Sequence, residues 1–154
     1  MKSSLWIAMV MMAVAFSACA ERETATNPEA EAVKTVVRDA YVYGIQIDRN
    51  VEAIRKGFDP VFNILILQND EISEYPIETW IEGIEASLET NPGPREYETT
   101  YEFPMVDVTG SAAVVQVELY RDEVHFFTDY LSLYKFSDGW KIVSKIFYRH
   151  PESM

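Results

Sequence analysis

The chain changes its hydrophobic pattern near residue 94, where helical spacing gives way to strand-like alternation. Asn27 and Pro28 are typical of a helix start, and apolar or small residues then recur three and four positions apart, as on a helix packed against a core. This stripe comprises Val33, Val36, Val37, Ala40, Tyr41, Gly44 and Ile45. A short second helix is predicted over Val51–Lys56, with Gly57 as its stop.

Two strands and a third helix are predicted before the change of pattern. Val61–Leu67 is a continuous apolar run of strand length, which favours a strand covered on both faces. Ile72–Tyr75 has the length to pair back on it as a short strand. The third helix begins at Pro76, and its predicted buried stripe comprises Ile77, Trp80, Ile81, Ile84 and Leu88.

Four long strands are predicted after the linker Asn91-Pro92-Gly93-Pro94. Glu96–Phe103 alternates, and Pro104 predicts a bulge or an edge position because proline donates no ladder hydrogen bond. Ala112–Tyr120 and Val124–Phe136 follow. Helices grouped before an antiparallel sheet indicate an α+β domain over residues 28–151, with a curved antiparallel sheet packed on three N-terminal helices as an open cone.

The last two strands form a predicted hairpin through Ser137-Asp138-Gly139, in which Gly139 supplies a positive φ. If Phe136 pairs with Trp140, Asp129 faces Phe147 and Lys145 faces Leu131 across the strands. Asp129 and Lys145 then lie diagonally on one face, and a shift of one residue would separate them. The other residues expected on this face are His125, Phe127, Leu131, Leu133 and Val143.

The N-terminus is predicted to direct export. Lys2 and the apolar run Leu5–Phe16 are typical of a signal peptide over residues 1–20, and that run is too short to span a bilayer. Phe16-Ser17-Ala18-Cys19 resembles a bacterial lipobox, with Phe16 where leucine is usual, which predicts lipidation of Cys19. Ordinary cleavage after Ala20 is the alternative. Residues 21–27 are predicted to form a polar tether. The lipid would attach the protein to a membrane, at a periplasmic or outer-surface location.

Composition excludes several functional classes. The chain has 25 Asp and Glu against 13 Lys and Arg, which argues against nucleic acid as a partner because such binding needs cations. The same acidic charge disfavours binding to anionic lipid head groups, so membrane contact is expected only through the N-terminal lipid. Cys19 is the one cysteine, and neither His125 nor His150 stands at a metal-ligand spacing, so no metal site is predicted. No phosphate loop or dinucleotide motif is present, and no cofactor is predicted.

Five residues are candidates for lining a ligand pocket: Tyr41, Trp80, His125, Asp129 and Lys145. Asp129 and Lys145 interrupt apolar strands, either as a polar group that orients a ligand or as a structural ion pair or dimer contact. Tyr41 belongs to the apolar stripe of the first helix, and a core tyrosine is its alternative reading. Trp80 suits a flat ligand or a plain core. His125 is equally typical of a strand edge.

The chain resembles the nuclear transport factor 2-like superfamily and, more narrowly, the bacterial "putative lumazine-binding" family. The resemblance is carried by VVRDAYVYGIQIDRNVEAIRKGF, VFNILIL, YPIETWI and TDYLSLYKFSDGWKIVSKIF. It implies a cone-shaped fold and a homodimer, and a tyrosine of the first helix that binds a substrate oxygen in catalytic relatives. The steroid isomerases of the superfamily use two acids; here the first strand is apolar after Asn63, and Ser132 replaces the second acid.

The expected function is therefore an exported, lipid-anchored, non-catalytic protein whose pocket binds a small apolar or aromatic heterocyclic molecule. Two alternatives stay open, because this fold hosts many functions. One is an enzyme of the cyclase, dehydratase or isomerase type that uses Tyr41, His125, Asp129 or Lys145. The other is a dimerisation or accessory module with a vestigial pocket, which would show a closed cone and an apolar outer sheet face.

Overall fold

The computed structural model describes residues 27–151. The predicted signal peptide, Cys19 and almost all of the tether lie outside the described residues. Within them, the helices cover one face of a six-stranded sheet, and the third helix lies between the second and third strands in the chain, which confirms the α+β class. None of the helices in this part of the chain has the length and apolar character needed to cross a membrane.

The first helix departs from regular α geometry halfway along. Helix α1 (Pro28–Val36) begins at Asn27, whose side chain accepts a hydrogen bond from the Glu29 amide, as predicted. The helix continues as a π-helix over Val37–Ile47. Its wider turn places residues five apart on one side, so Gln46 is buried in addition to Tyr41, beyond the predicted stripe.

Helices α2 (Val51–Gly57) and α3 (Ile77–Thr90) complete the helical layer. The second helix ends at Gly57 as predicted, but Gly57 does not adopt a positive φ. A Cβ at Gly57 would lie 2.2 Å from the Ala40 Cβ atom, so the glycine is required by close packing of α2 against the first helix.

The strands are β1 (Phe58–Gln68), β2 (Glu71–Pro76), β3 (Thr99–Thr109), β4 (Ala112–Arg121), β5 (Val124–Phe136) and β6 (Gly139–Arg149). They lie in the order β2-β1-β6-β5-β4-β3. Every neighbouring pair is antiparallel except β1–β6, which is parallel and was not predicted. The register between β3 and β4 shifts at Pro104, on the edge strand β3, which confirms both readings of that proline.

The prediction that the apolar run of β1 is covered on both faces is wrong. Phe62 and Ile64 are buried beneath the helices, whereas Val61 and Leu67 are 71% exposed. The helices of the described residues cover only the inner face of the sheet. The run therefore contributes one row of side chains to the core and leaves the other row on the outer face.

Two β-bulges decide which side chains of β5 and β6 face the helices. Phe136 pairs with Gly139, one residue away from the predicted Phe136–Trp140 pairing. A bulge at Val143 takes up one residue, so Asp129 still pairs with Phe147 and Leu131 with Lys145. Val143 itself is displaced from the predicted row, and the buried neighbour is Ile142.

The second bulge corrects the position predicted for His125. Leu119 pairs with Phe127 and Tyr120 pairs with His125, so Phe126 has no partner in β4. This extra residue breaks the alternation between Asp129 and His125. His125 therefore leaves the inner row and contacts Glu118, a residue that lies between the inward-facing Val117 and Leu119 of β4.

Candidate functional site

Tyr41, Asp129 and Lys145 form one buried hydrogen-bonded group between the first helix and the sheet. The Tyr41 hydroxyl donates to Asp129 Oδ2 over 2.5 Å, and Lys145 Nζ donates to Asp129 Oδ1 over 2.7 Å. Lys145 Nζ also lies 3.0 Å from the Tyr41 hydroxyl oxygen. Tyr41 and Asp129 are fully buried, and Lys145 is 4% exposed.

Burial and mutual contact shift the titration of this group. Burial lowers the pKa of Lys145, and the Asp129 carboxylate opposes that change. Burial also raises the pKa of Tyr41 well above its ordinary value, and the charge and hydrogen bond of Asp129 raise it further. Tyr41 therefore stays protonated and donates its hydrogen bond at physiological pH.

A cavity of about 370 Å³ lies beside Lys145, between the first helix, the third helix and the sheet. Its apolar lining is the aliphatic and aromatic set Ile45, Ile64, Ile66, Tyr75, Trp80, Phe127 and Phe147. The Lys145 ammonium lies 5.5 Å from the Trp80 ring centre and 4.9 Å from the Phe147 ring centre. The volume falls in the range typical of small-molecule sites.

The polar groups of this cavity are cationic or neutral. Arg95, Arg121, Lys145 and Gln46 line it, and no described residue of the lining carries a carboxylate. This contrasts with the acidic composition of the chain as a whole. Asp129 lies behind Lys145 and neutralises it, so the two guanidinium groups leave the cavity positively charged.

The two arginines are held in different ways. Arg95 donates to the main-chain oxygens of Ile45 and Gln46, over 2.9 and 3.2 Å, at the end of the π-helix, where carbonyls lack helical partners. Arg121 lies over the Tyr97 ring at 4.3 Å and the Phe126 ring at 3.9 Å. The described residues supply its guanidinium with these rings but with no hydrogen-bonded carboxylate. The pKa of Arg121 is lowered, mainly because burial disfavours its charged form.

The sequence analysis missed Arg95, Arg121 and Gln46. Arg95 follows a proline-rich linker and Arg121 precedes a turn, so both look like solvent-exposed loop residues. Gln46 falls outside the α-helical stripe, and only the π-helix turns it inward. The one available signal was the position of Arg121 at the end of an apolar strand, where its side chain continues the inner row.

The predicted pocket residues occupy three places. Trp80 and Lys145 line the cavity, whereas Tyr41 and Asp129 lie behind Lys145 and do not reach the lining. Tyr43, the other tyrosine of that helical turn, is 40% exposed and packs against Tyr101. His125 lies in a separate cluster described next, so the structure does not bring it to the cavity.

The separate cluster joins β4, β5 and the segment after β6. Glu118 Oε2 lies 2.5 Å from His125 Nε2 and accepts a hydrogen bond of 2.5 Å from Thr128 Oγ1. Thr128 Oγ1 lies 2.9 Å from His150 Nε2. Partial burial would raise the pKa of Glu118, but hydrogen bonds from Thr128, Gln116 and His125 outweigh it and lower that pKa.

A larger cleft of about 460 Å³ lies under the linker at residues 92–99. Arg49 spans it, donating to Ser87 Oγ over 3.1 Å and to the Gly93 carbonyl. Its lining combines Arg49 and Arg95 with two carboxylates, Asp48 and Glu98, and Tyr97 supplies its aromatic ring. The smaller cavity has four aromatic residues in its lining and cations without a carboxylate among them, so it is the better candidate for a ligand site.

Comparison with known proteins matches the fold to one family. The family model described as "Putative lumazine-binding" matches residues 28–148. A nuclear transport factor 2-like protein of unknown function from Shewanella baltica OS155 is 21% identical, covering 81% of this chain and 96% of its own, with a TM-score of 0.62. One from Methylobacillus flagellatus KT is 20% identical, covering 83% and 97%, with a TM-score of 0.63. No curated protein matches the sequence.

Proposed function

Because the chain belongs to the "Putative lumazine-binding" family, we propose that its cavity binds a small, flat aromatic heterocycle that carries a negative charge, without transforming it. The observation that carries this proposal is the lining, which combines aromatic rings with guanidinium groups and contains no carboxylate. The family description suggests a heterocycle. The charge of the ligand is inferred from Arg121 and Arg95.

The aromatic part of the ligand is expected to contact Trp80, Phe127 and Phe147. Their rings lie within 5.5 Å of the Lys145 ammonium and belong to the lining. Flat heterocycles gain from stacking on such rings as well as from the burial of their apolar surface. Lys145 and Gln46 add hydrogen-bond donors that suit carbonyl oxygens and ring nitrogens.

The anionic part of the ligand is expected to contact Arg121. Its guanidinium is already partly removed from water and lacks a carboxylate partner among the described residues, so an anion regains charge-assisted hydrogen bonds there. Arg95 is fixed by two carbonyls and places a second positive charge at the same wall. A neutral aromatic molecule would leave both cations without this compensation.

Two fluorescent probes of the same ring system test the proposal. The first is 8-anilinonaphthalene-1-sulfonate, and the second is N-phenyl-1-naphthylamine, which lacks the sulfonate. We expect the sulfonate to bind the folded protein at least about 10-fold more tightly, a difference of roughly 1.4 kcal/mol. Lumazine itself serves as the third ligand, because the family name suggests it.

Arg121→Gln should abolish the preference for the sulfonate while binding of N-phenyl-1-naphthylamine changes less than about twofold. Arg55→Gln is the matched control, since Arg55 is exposed, pairs with Glu78 and does not line the cavity. Equal affinity for both probes in the wild type would contradict the anionic ligand. So would loss of the preference in the Arg55 variant.

An enzyme remains the second candidate function, favoured by one observation. Lys145 reaches the cavity with a lowered pKa, which is a property of catalytic amines. Mass spectrometry of the protein purified from its native host distinguishes the two functions. A bound compound recovered unchanged after incubation with the protein supports binding, and its conversion to a product supports catalysis.

Export and lipid anchoring are part of the same proposal. They rest on Lys2, the apolar run Leu5–Phe16 and the Phe16-Ser17-Ala18-Cys19 motif. Incorporation of a labelled fatty acid in the native host, lost in Cys19→Ala, is the expected result. An unlabelled, cleaved chain would favour ordinary processing after Ala20.

A homodimer is supported by the outer face of the sheet. Tyr130, Tyr134, Ile146 and Tyr148 are 38–58% exposed there and form an outer apolar patch. The presence of an open cavity on the inner face argues against the accessory module with a vestigial pocket, which requires a closed cone.

A further inference from the structure

We propose that Glu118, His125 and His150 form a binding site for a divalent transition-metal ion of the zinc class. One ligand atom from each side chain lies within 4.8 Å of the others. The set consists of two imidazole nitrogens and one carboxylate oxygen, which is a donor set typical of zinc sites with an open coordination position. The cluster does not belong to the cavity and is independent of the proposed ligand.

The distances require only small side-chain adjustments. Zinc at about 2.0–2.1 Å from tetrahedral ligands places those ligands roughly 3.3 Å from one another. Glu118 Oε2 and His125 Nε2 are already 2.5 Å apart. The two imidazole rings stack at 3.7 Å between centres, so both rings must tilt for their nitrogens to point at one ion.

The main chain holds the two histidines in place. The bulge at Phe126 turns His125 toward Glu118, and the His150 amide donates to the Phe126 carbonyl over 3.0 Å. His150 follows directly after β6, so the same bulge organises both imidazoles. A β-bulge that re-aims a side chain in this way is a feature often found beside functional sites.

A second layer of contacts orients the carboxylate. Gln116 Nε2 donates to Glu118 Oε1 over 2.5 Å, which leaves Oε2 directed at the histidines. Thr128 Oγ1 lies close to Glu118 Oε2 and His150 Nε2, and it is placed to bind a water at the fourth coordination position. Such outer contacts fix the direction of metal ligands and raise their affinity.

Binding replaces protons by the ion. Each histidine must present an unprotonated Nε2 to the metal, so any proton on these nitrogens is released or moves to the other ring nitrogen. The carboxylate remains ionised, and two neutral imidazoles with one carboxylate reduce the charge of a divalent ion to +1. Without an ion, the alternative is a plain hydrogen-bonded network of the same residues.

The composition of the chain makes the test specific. The sequence contains two histidines and one cysteine, so imidazole ligation of any ion reports on His125 and His150. The purified full chain is stripped with a chelator and titrated with Co²⁺ while its visible absorption is recorded. Zn²⁺ is then added to displace the Co²⁺. We expect saturation at one ion per chain and displacement by an equal amount of Zn²⁺.

Glu118→Gln and His150→Gln should each weaken the binding of Co²⁺ and Zn²⁺ at least about 10-fold. His150 lies close to the end of the chain, which makes its variant the safer one for folding. Glu102→Gln is the matched control, because Glu102 pairs with Glu118 across β3 and β4 but does not belong to the cluster. Cys19→Ser excludes the thiol as the ligand.

Thermal unfolding provides an independent readout. Zn²⁺ should raise the Tm of the wild type, the Glu102 variant and the Cys19 variant, and leave the Tm of the His150 variant unchanged, because only a folded site binds the ion. No saturable Co²⁺ signal in the wild type would overturn the proposal. Binding of equal strength in the Glu118 and His150 variants would overturn it as well.

Discussion

The Tyr41 hydroxyl lies 2.5 Å from Asp129 Oδ2, although 88 residues separate the two in the chain. The contact joins the π-helical turn to the middle of β5, and Lys145 of β6 completes it. All three groups are withdrawn from water, so the hydrogen bonds among them replace those that water would make. Tyr41 and Asp129 thereby hold the Lys145 side chain in its position in the cavity lining.

Asp129→Asn is expected to destabilise the protein by about 3–5 kcal/mol, because it leaves the buried Lys145 ammonium without its counter-charge. Urea unfolding measures the loss. Binding of 8-anilinonaphthalene-1-sulfonate at a temperature where the variant stays folded should change little, since Asp129 does not line the cavity. Near-normal stability with weakened binding would instead support Asp129 as a group that orients the ligand.

The double variant Asp129→Leu with Lys145→Met tests whether the cost of Asp129→Asn comes from the unpaired Lys145 charge. Replacing both partners by apolar residues of similar size removes the two buried charges together. We expect it to be more stable than Asp129→Asn alone. A double variant that is less stable than the single one would show that the charges have favourable partners beyond each other.

Tyr41→Phe should alter the alkaline limit of stability. The folded-state pKa of Tyr41 lies well above its unfolded value of about 10, so its stabilising contribution is complete below pH 10 and is lost as the pH rises. At pH 7 the variant is expected to be less stable by about 1.5–3 kcal/mol. That difference should shrink by about 1.4 kcal/mol at pH 11.

Tyr134→Phe is the control for this pH profile, because Tyr134 is 53% exposed on the outer face. Its unfolding free energy should follow that of the wild type between pH 8 and pH 11. A constant difference between Tyr41→Phe and the wild type over that range would contradict the raised pKa of Tyr41.

Gly57→Ala and Gly83→Ala are expected to shift stability in opposite directions. A Cβ at residue 57 meets the Ala40 Cβ atom at 2.2 Å, so repacking should cost about 1–3 kcal/mol. At Gly83 in α3 the nearest atom is the Tyr75 hydroxyl at 3.8 Å. Alanine there should stabilise the helix by about 0.5–1 kcal/mol. Equal effects in thermal unfolding would contradict the packing argument.

Ile146→Lys is expected to dissociate the proposed homodimer. Ile146 is 52% exposed in the outer apolar patch and pairs with Tyr130 across β5 and β6. A charge at the centre of an apolar interface is costly to desolvate. Sedimentation analysis should show a dimer for the wild type and a monomer for the variant. Val61→Lys on the exposed side of β1 is the control and should not change the mass.

Local patterns determined most of the elements from the sequence. Three such features could be identified without a tertiary structure, because each involves only a few neighbouring residues. They are the helix cap at Asn27, the bulge at Pro104 and the turn at Gly139. The helical stripe and the apolar strands gave the α+β class for the same reason. The diagonal placement of Asp129 and Lys145 on one face was predicted from a hairpin register that is one residue off at the turn, and the bulge at Val143 restores the predicted pairing near Asp129.

Only the tertiary structure decided which of these side chains meet. A bulge adds one residue to a strand and reverses every later side chain, and nothing in the composition around Phe126 or Val143 marks it. His125 was thereby moved to Glu118, and His150 joined it from the far end of the chain. The π-helix turned Gln46 inward, and strand order brought Arg95 and Arg121 to one cavity. These outcomes depend on packing between distant segments, which no short window of the sequence contains.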